Sequence, residues 1–196
     1  MAYEKELNDL FLMQQTYATL FAVQNKIQSK SDESFETLST RQFMTMLAVL
    51  HLMGHEPTVN NIARKLGTSK QNANQLVSVL KKKGYVEITQ SKTDKRAYNV
   101  VVTSSGLQET MRCNEIGILL FADIFEDFTG EELLSLWNLL KKLYRFDGEE
   151  QQGFEENLND SLELDETSKK AQLRTLQAFA EKRNSINLKE KPRDEK

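Results

Sequence analysis

One cysteine, two prolines and eight glycines are all that 196 residues hold of the types that staple, break or loosen a chain. A lone thiol, Cys113, excludes an intrachain disulfide and fits a reducing compartment. So few prolines leave long helical runs uninterrupted. No apolar run approaches the ~20 residues that cross a bilayer. The start, Met1-Ala2-Tyr3-Glu4-Lys5-Glu6, lacks the basic and apolar regions of a signal peptide, so a cytoplasmic protein away from the membrane is expected. There is no phosphate loop, no glycine-rich dinucleotide turn and no nucleophile motif, so neither an enzyme nor a cofactor is expected. His51 and His55 lie four apart with only Glu56 near them, which is an incomplete set for zinc. The hydrophobic content, 39%, is low for a self-sufficient core and points to an exposed tail or to a core completed by a second copy.

What is present is concentrated between residues 58 and 105. Thr58 is placed to cap a short helix with Val59, Ile62, Ala63 and Leu66 on one face, and Gly67 to end it. Ser69 is placed to cap a second, with Ala73, Leu76, Val77 and Leu80 as its inner stripe and Gly84 as its stop. The few residues between the two match a helix-turn-helix. Tyr85, Val86 and Ile88 then alternate as one strand and Tyr98, Val100 and Val102 as another, joined by a polar, basic loop over residues 89–97. Helix, turn, helix and basic hairpin together describe a winged helix. Residues 60–96 carry nine basic side chains against Glu87 and Asp94, a local charge of +7 inside a chain of net −3. Such a surplus is the footprint of phosphate binding. On the second helix, Gln71, Asn72, Asn74 and Gln75 supply the amides that pair with adenine edges in a major groove, Lys70 a phosphate or guanine contact, and Ser69 a further DNA-facing residue at the helix start. Lys92, Lys95 and Arg96 on the wing are suited to the backbone or to a narrow minor groove.

Leu66-Gly67-Thr68-Ser69, Leu76-Val77, Leu80 and Lys83-Gly84-Tyr85-Val86 together resemble the recognition-helix segment of the MarR family of bacterial transcriptional regulators. Asp94-Lys95-Arg96 is similar to that family's wing tip, in which an Asp orients an Arg, and Thr103-Ser104-Ser105-Gly106 to the step that opens the following helix. The resemblance extends less sharply over residues 7–146. It implies a homodimeric repressor on a pseudo-palindromic double-stranded operator, with an aromatic effector bound between the dimer helices and the winged unit. Phe11, Tyr17, Phe21, Phe43, Met44, Met46 and Met111 are the residues here that would line such a pocket, although aromatic and Met residues at helical spacing also make ordinary core. Gln75 stands where the family commonly has Arg, which tilts the expected operator toward A·T-rich sequence. Family members that sense peroxide carry their cysteine in the N-terminal helix, where this chain has none; Cys113 is expected to be a small buried residue.

The flanks complete the expectation of a mainly α protein, a winged helix-turn-helix held between N- and C-terminal dimerisation helices. Residues 3–29 read as a helix with Leu7, Leu10, Phe11, Tyr17 and Phe21 near heptad spacing, followed by a polar loop to residue 37. Ser39-Thr40-Arg41-Gln42 is a capping box for an apolar helix that Gly54 is placed to stop. Ser104 or Ser105 is placed to cap a helix to about Phe128, and Thr129-Gly130-Glu131-Glu132 opens another with Leu133, Leu136, Trp137, Leu140 and Leu143. Residues 1–146 thus form one domain with a DNA-reading unit at 58–105 and dimer helices near 3–29 and 104–146. Residues 147–196 read as a tail, acidic then basic, with one further helix ending near Asn184 and no part in folding the winged unit. The alternative to a DNA-binding regulator is a winged-helix module that binds protein, which requires an apolar recognition face.

Overall fold

Local capping sets most of the helix starts. The computed structural model describes residues 3–53, 55–91, 97–149, 154 and 166–189, with side chains as far as 184. In chain order its elements are α1 (Glu4–Ser34), α2 (Thr40–His51), α3 (Val59–Lys65), α4 (Lys70–Lys82), β1 (Val86–Gln90), β2 (Tyr98–Val102), α5 (Ser104–Ile124), α6 (Gly130–Tyr144), a 3₁₀ turn (Arg145–Asp147) and α7 (Glu166–Lys189). The expected class, mainly helical with one antiparallel hairpin, is the class observed. Ser39 and Gln42 form the capping box of α2, and Thr129 and Glu132 that of α6. Thr58 and Ser69 accept from the backbone N–H groups of Asn61 and Asn72, as their positions predict. Gly67 and Gly84 follow the ends of α3 and α4 at φ of 59° and 76°, the left-handed conformation that favours glycine. Gly54, read as the stop of α2, lies outside the described residues.

The core lies between α2, α3, α4 and the hairpin. Met46, Ile62, Leu80, Val49, Val77, Val86 and Val100 are its largest fully buried apolar side chains, and removing most of Leu80 alone forfeits about 2–5 kcal/mol. Val86 pairs with Val102 and Ile88 with Val100 across the hairpin. A short third segment joins them: Thr58 bridges Asn99, and Val100 N–H donates to the Pro57 carbonyl at 2.9 Å. Among the described residues no helix is long and apolar enough to cross a membrane.

Three boundaries before α7 differ from those the sequence suggests. Helix α1 continues to Ser34 through the segment read as a loop, because its last turns pack on α2. There Thr40 Oγ1 donates to the Gln28 carbonyl, and Ser31 is buried with its hydroxyl on the Ile27 carbonyl. Helix α5 is capped by Thr103, not by Ser104 or Ser105; the Thr103 hydroxyl also donates to the Gly84 carbonyl at 2.7 Å, which fixes its orientation. And α5 ends at Ile124, where Arg183 of α7 donates to the carbonyls of Phe125, Glu126 and Phe128.

That clasp makes α7 part of the body. Its Ser168, Ala171, Gln172, Thr175, Phe179, Lys182 and Arg183 are half-buried at heptad-like intervals, and Lys182 pairs with Asp123 at 2.6 Å. Helix α7 packs on α5 and outlasts the expected end near Asn184. The Arg183→Ala protein is expected to lose about 1–3 kcal/mol of stability, since three terminal carbonyls of the α5–α6 turn lose a charged donor. Urea denaturation followed by circular dichroism measures it; an unchanged midpoint would show that the clasp is incidental.

Candidate nucleic-acid interface

Helix α4 is amphipathic in the plainest sense. Ala73, Val77 and Leu80 are buried and Leu76 is half-buried, so the opposite side must face solvent. On it Gln71, Asn74, Gln75 and Ser78 are exposed, spaced three and four apart along one stripe. Ser69 and Lys70, at the N-terminal end, are exposed too. Five of the predicted residues therefore share one open surface, at the end of the helix where the unsatisfied N–H groups favour phosphate. Ser78, whose hydroxyl donates to the Asn74 carbonyl at 2.8 Å, belongs to the same stripe. The sequence signal for it was present, since it falls one turn beyond Asn74 and Gln75.

Asn72 is placed differently. Its side chain donates to Thr68 Oγ1 at 3.3 Å, and it lines a cavity of about 530 Å³ on the flank of the helix. Lys83 is also diverted. Its ammonium donates to the Thr37 carbonyl at 2.6 Å and to Gln42 Oε1 at 2.8 Å, tying the end of α4 to the start of α2. Lys81 and Lys82 remain exposed beside it. The wing residues Lys92, Asp94, Lys95 and Arg96 lie outside the described residues.

The cavity beside Asn72 opens between α1, α2, the α3–α4 turn and the end of α6. Ile27, Met44, Leu66 and Leu76 supply apolar walls, and Gln24, Gln28, Arg41, Thr68 and Tyr144 polar ones. Its size falls within the range of about 300–1,000 Å³ usual for small-molecule sites. Of the seven residues named from the sequence for a pocket, only Met44 lines it. Phe43 and Met46 are in the core, Met111 is half-buried on α5, and Phe11, Tyr17 and Phe21 are exposed on α1. Arg41, Tyr144 and Phe154 were not legible as lining residues, because three separate elements bring them there. Tyr144 also donates its hydroxyl to the Arg64 carbonyl at 3.3 Å, joining the end of α6 to the helix-turn-helix.

The two remaining candidates have structural surroundings. His51 meets the ring of Phe154 edge-on at 5.1 Å, and His55 is exposed. Cys113 is fully buried; burial and then the adjacent Glu109 charge push its thiol up to about 12, so it stays protonated and poorly nucleophilic. Burial works against the Glu109 carboxylate, but hydrogen bonds from Arg112 and Thr37 outweigh it and hold the group below its usual range. Arg112 also pairs with Glu36 at 2.9 Å, fastening α5 to the α1–α2 connection.

Residues 38–97 match the MarR family. No curated protein matches the chain. Among solved structures, an organohalide-sensing transcriptional regulator, RdhR, in its 2,4-dichlorophenol-bound form is 22% identical, with a TM-score of 0.61 over 70% of this chain and 81% of that one. A MarR/EmrR family transcriptional regulator from Acinetobacter sp. ADP1 is 24% identical, with a TM-score of 0.61 over 68% and 95%. MepR of S. aureus, in a complex with DNA, is 20% identical, with a TM-score of 0.59 over 65% and 94%. At these identities the likeness is one of fold, and the shared fold is the winged helix between long helices.

Proposed function

For a chain whose residues 38–97 match the MarR family, we propose a homodimeric MarR-type repressor that reads a pseudo-palindromic double-stranded DNA operator. The observation that carries this reading is the outer stripe of α4. Its amides, Gln71, Asn74 and Gln75, stand opposite the buried Ala73, Val77 and Leu80, with Lys70 at the positive end. Amides of this kind pair bidentately with adenine N6 and N7 in a major groove. A module that binds protein would need an apolar face there. Lys92, Lys95 and Arg96 are assigned to the DNA backbone and the minor groove, with Asp94 orienting Arg96. The division of labour is a reading unit at 58–105, dimer helices on either side within residues 1–146, and an appended tail at 147–196.

Dimerisation is supported by what a single chain leaves uncovered. None of the residues of α6 is buried, yet it presents Leu134, Trp137, Leu139, Leu140 and Leu143, and α1 presents Leu7, Leu10, Phe11, Tyr17 and Phe21. Faces this broad on two helices mark an interface rather than a solvated surface. The cavity flanked by Arg41 and Asn72 is assigned to a small aromatic effector, with the cation placed to meet an anionic or phenolic oxygen. RdhR is a precedent for such a ligand in this fold.

Selecting bound sites from a random duplex pool supplies the operator, and isotherms at several salt concentrations then separate reading from holding. Gln75→Ala is expected to cost about 1–3 kcal/mol on the selected site and little on random duplex. Asn72→Ala, on the flank, is expected to cost less. Lys95→Ala is expected to weaken both DNAs alike and to lower the salt slope by about 1. Equal losses on both DNAs for Gln75→Ala would remove α4 as the reader.

A further inference from the structure

Helix α4 carries an apolar side chain on its solvent side. Leu76 turns to the cavity and Val77 and Leu80 to the core, whereas Val79 is 38% exposed. Neither solvation nor helix propensity favours valine there: its branched Cβ is restricted in a helix, and its methyl groups gain nothing from water. Val79 lies one turn beyond Gln75 and next to Ser78, on the flank of the outer stripe that also carries Gln71 and Asn74. An isopropyl group thus stands beside an amide on the surface assigned to DNA. Single exposed apolar residues are ordinary on a protein surface, but on this surface one has a specific chemical counterpart.

The apolar group that bases present in a major groove is the 5-methyl of thymine, while adenine presents the N6 donor and N7 acceptor that suit an amide. Residues four apart rise about 6 Å along a helix, and base pairs in duplex DNA about 3.4 Å. A helix that sets Gln75 on an adenine therefore carries Val79 to a pair within about two steps of it. We propose, on the reading of α4 as the helix in the groove, that Val79 is a specificity-determining residue that packs on a thymine methyl. Gln75 and Val79 then select neighbouring A·T pairs by two different chemistries, one polar and one apolar. Cytosine offers no methyl at that place, so the contact discriminates against a C·G pair. Withdrawing one methyl from water on each half-site is worth about fourfold in affinity.

The test removes the methyl from the DNA and the isopropyl from the protein separately. In the operator selected by the full-length chain, each thymine of the half-site is replaced in turn by deoxyuridine, which lacks only the 5-methyl group. For the unaltered protein, one such replacement is expected to weaken binding about fourfold, and about fifteenfold when made in both half-sites. Val79→Ala, its fold checked by circular dichroism, is expected to bind the thymine operator correspondingly less well and to be indifferent to that same replacement. A replacement that costs both proteins equally overturns the proposal, because another group then meets the methyl. Indifference of the unaltered protein to every replacement, with Gln75→Ala still losing its preference for the selected site, overturns the methyl contact and leaves α4 as the reader. Indifference to every replacement together with equal losses on selected and random duplex for Gln75→Ala overturns both.

Discussion

Gly106→Ala is expected to destabilise the protein by about 3 kcal/mol or more, although helix propensity alone predicts a gain of about 1 kcal/mol. Position 106 is in the first turn of α5, where Thr103 accepts from its N–H at 3.1 Å. A Cβ there would overlap the Tyr85 carbonyl oxygen and press on Met46 Cε at 3.0 Å. The carbonyl cannot yield cheaply, because it accepts from Thr103 N–H at 3.0 Å while Thr103 and Ser105 both donate to the neighbouring Gly84 carbonyl. The start of α5 is thus riveted to the junction of α4 and β1, and an added methyl must pry the two apart. Urea denaturation gives the sign. A more stable alanine variant would mean that the helix tolerates the shift and that the contact is not a constraint.

Changing Leu10, Phe11, Tyr17 and Phe21 together to glutamine is expected to yield a folded monomer that binds the selected operator about a hundredfold or more weakly. All four side chains are exposed in the single chain, with Tyr17 at 77%, so their loss removes no internal packing. Glutamine keeps the helix propensity of α1. What disappears is the apolar face that a second copy would cover, and with it the tethering that makes the second half-site an intramolecular event. Sedimentation velocity and operator isotherms read both consequences. A dimer of undiminished affinity would take α1 out of the interface and leave α6, with its exposed Trp137 and Leu139, as the candidate.

The family resemblance and the winged-helix class were legible because their signals are local. A capping hydroxyl, a buried stripe at three- and four-residue spacing and a glycine in left-handed conformation all lie within one helix, so Thr58, Ser69, Gly67 and Gly84 could be assigned without knowing what surrounds them. The amide stripe of α4 was equally readable, since the buried Ala73, Val77 and Leu80 dictate which residues face away. Tertiary packing decided the rest. The last turns of α1 are helical because α2 accepts them, and Thr103 rather than Ser104 caps α5 because the Gly84 carbonyl orients its hydroxyl. Asn72, exposed on the flank of that stripe, also donates to Thr68 and lines the cavity, contacts that only the tertiary structure shows. The tail shows the contrast most clearly. Its charge blocks favour solvation on any reading of composition, yet Arg183 finds three carbonyls just beyond the end of α5 and Phe154 finds His51 and Lys65. Those partners lie 55 or more residues away along the chain for Arg183, and nearly 90 or more for Phe154. Short-range pattern determines which segments become helices and what each helix shows to solvent; long-range contact determines which exposed-looking residue is captured, because the energy of capture belongs to the pair and not to either sequence.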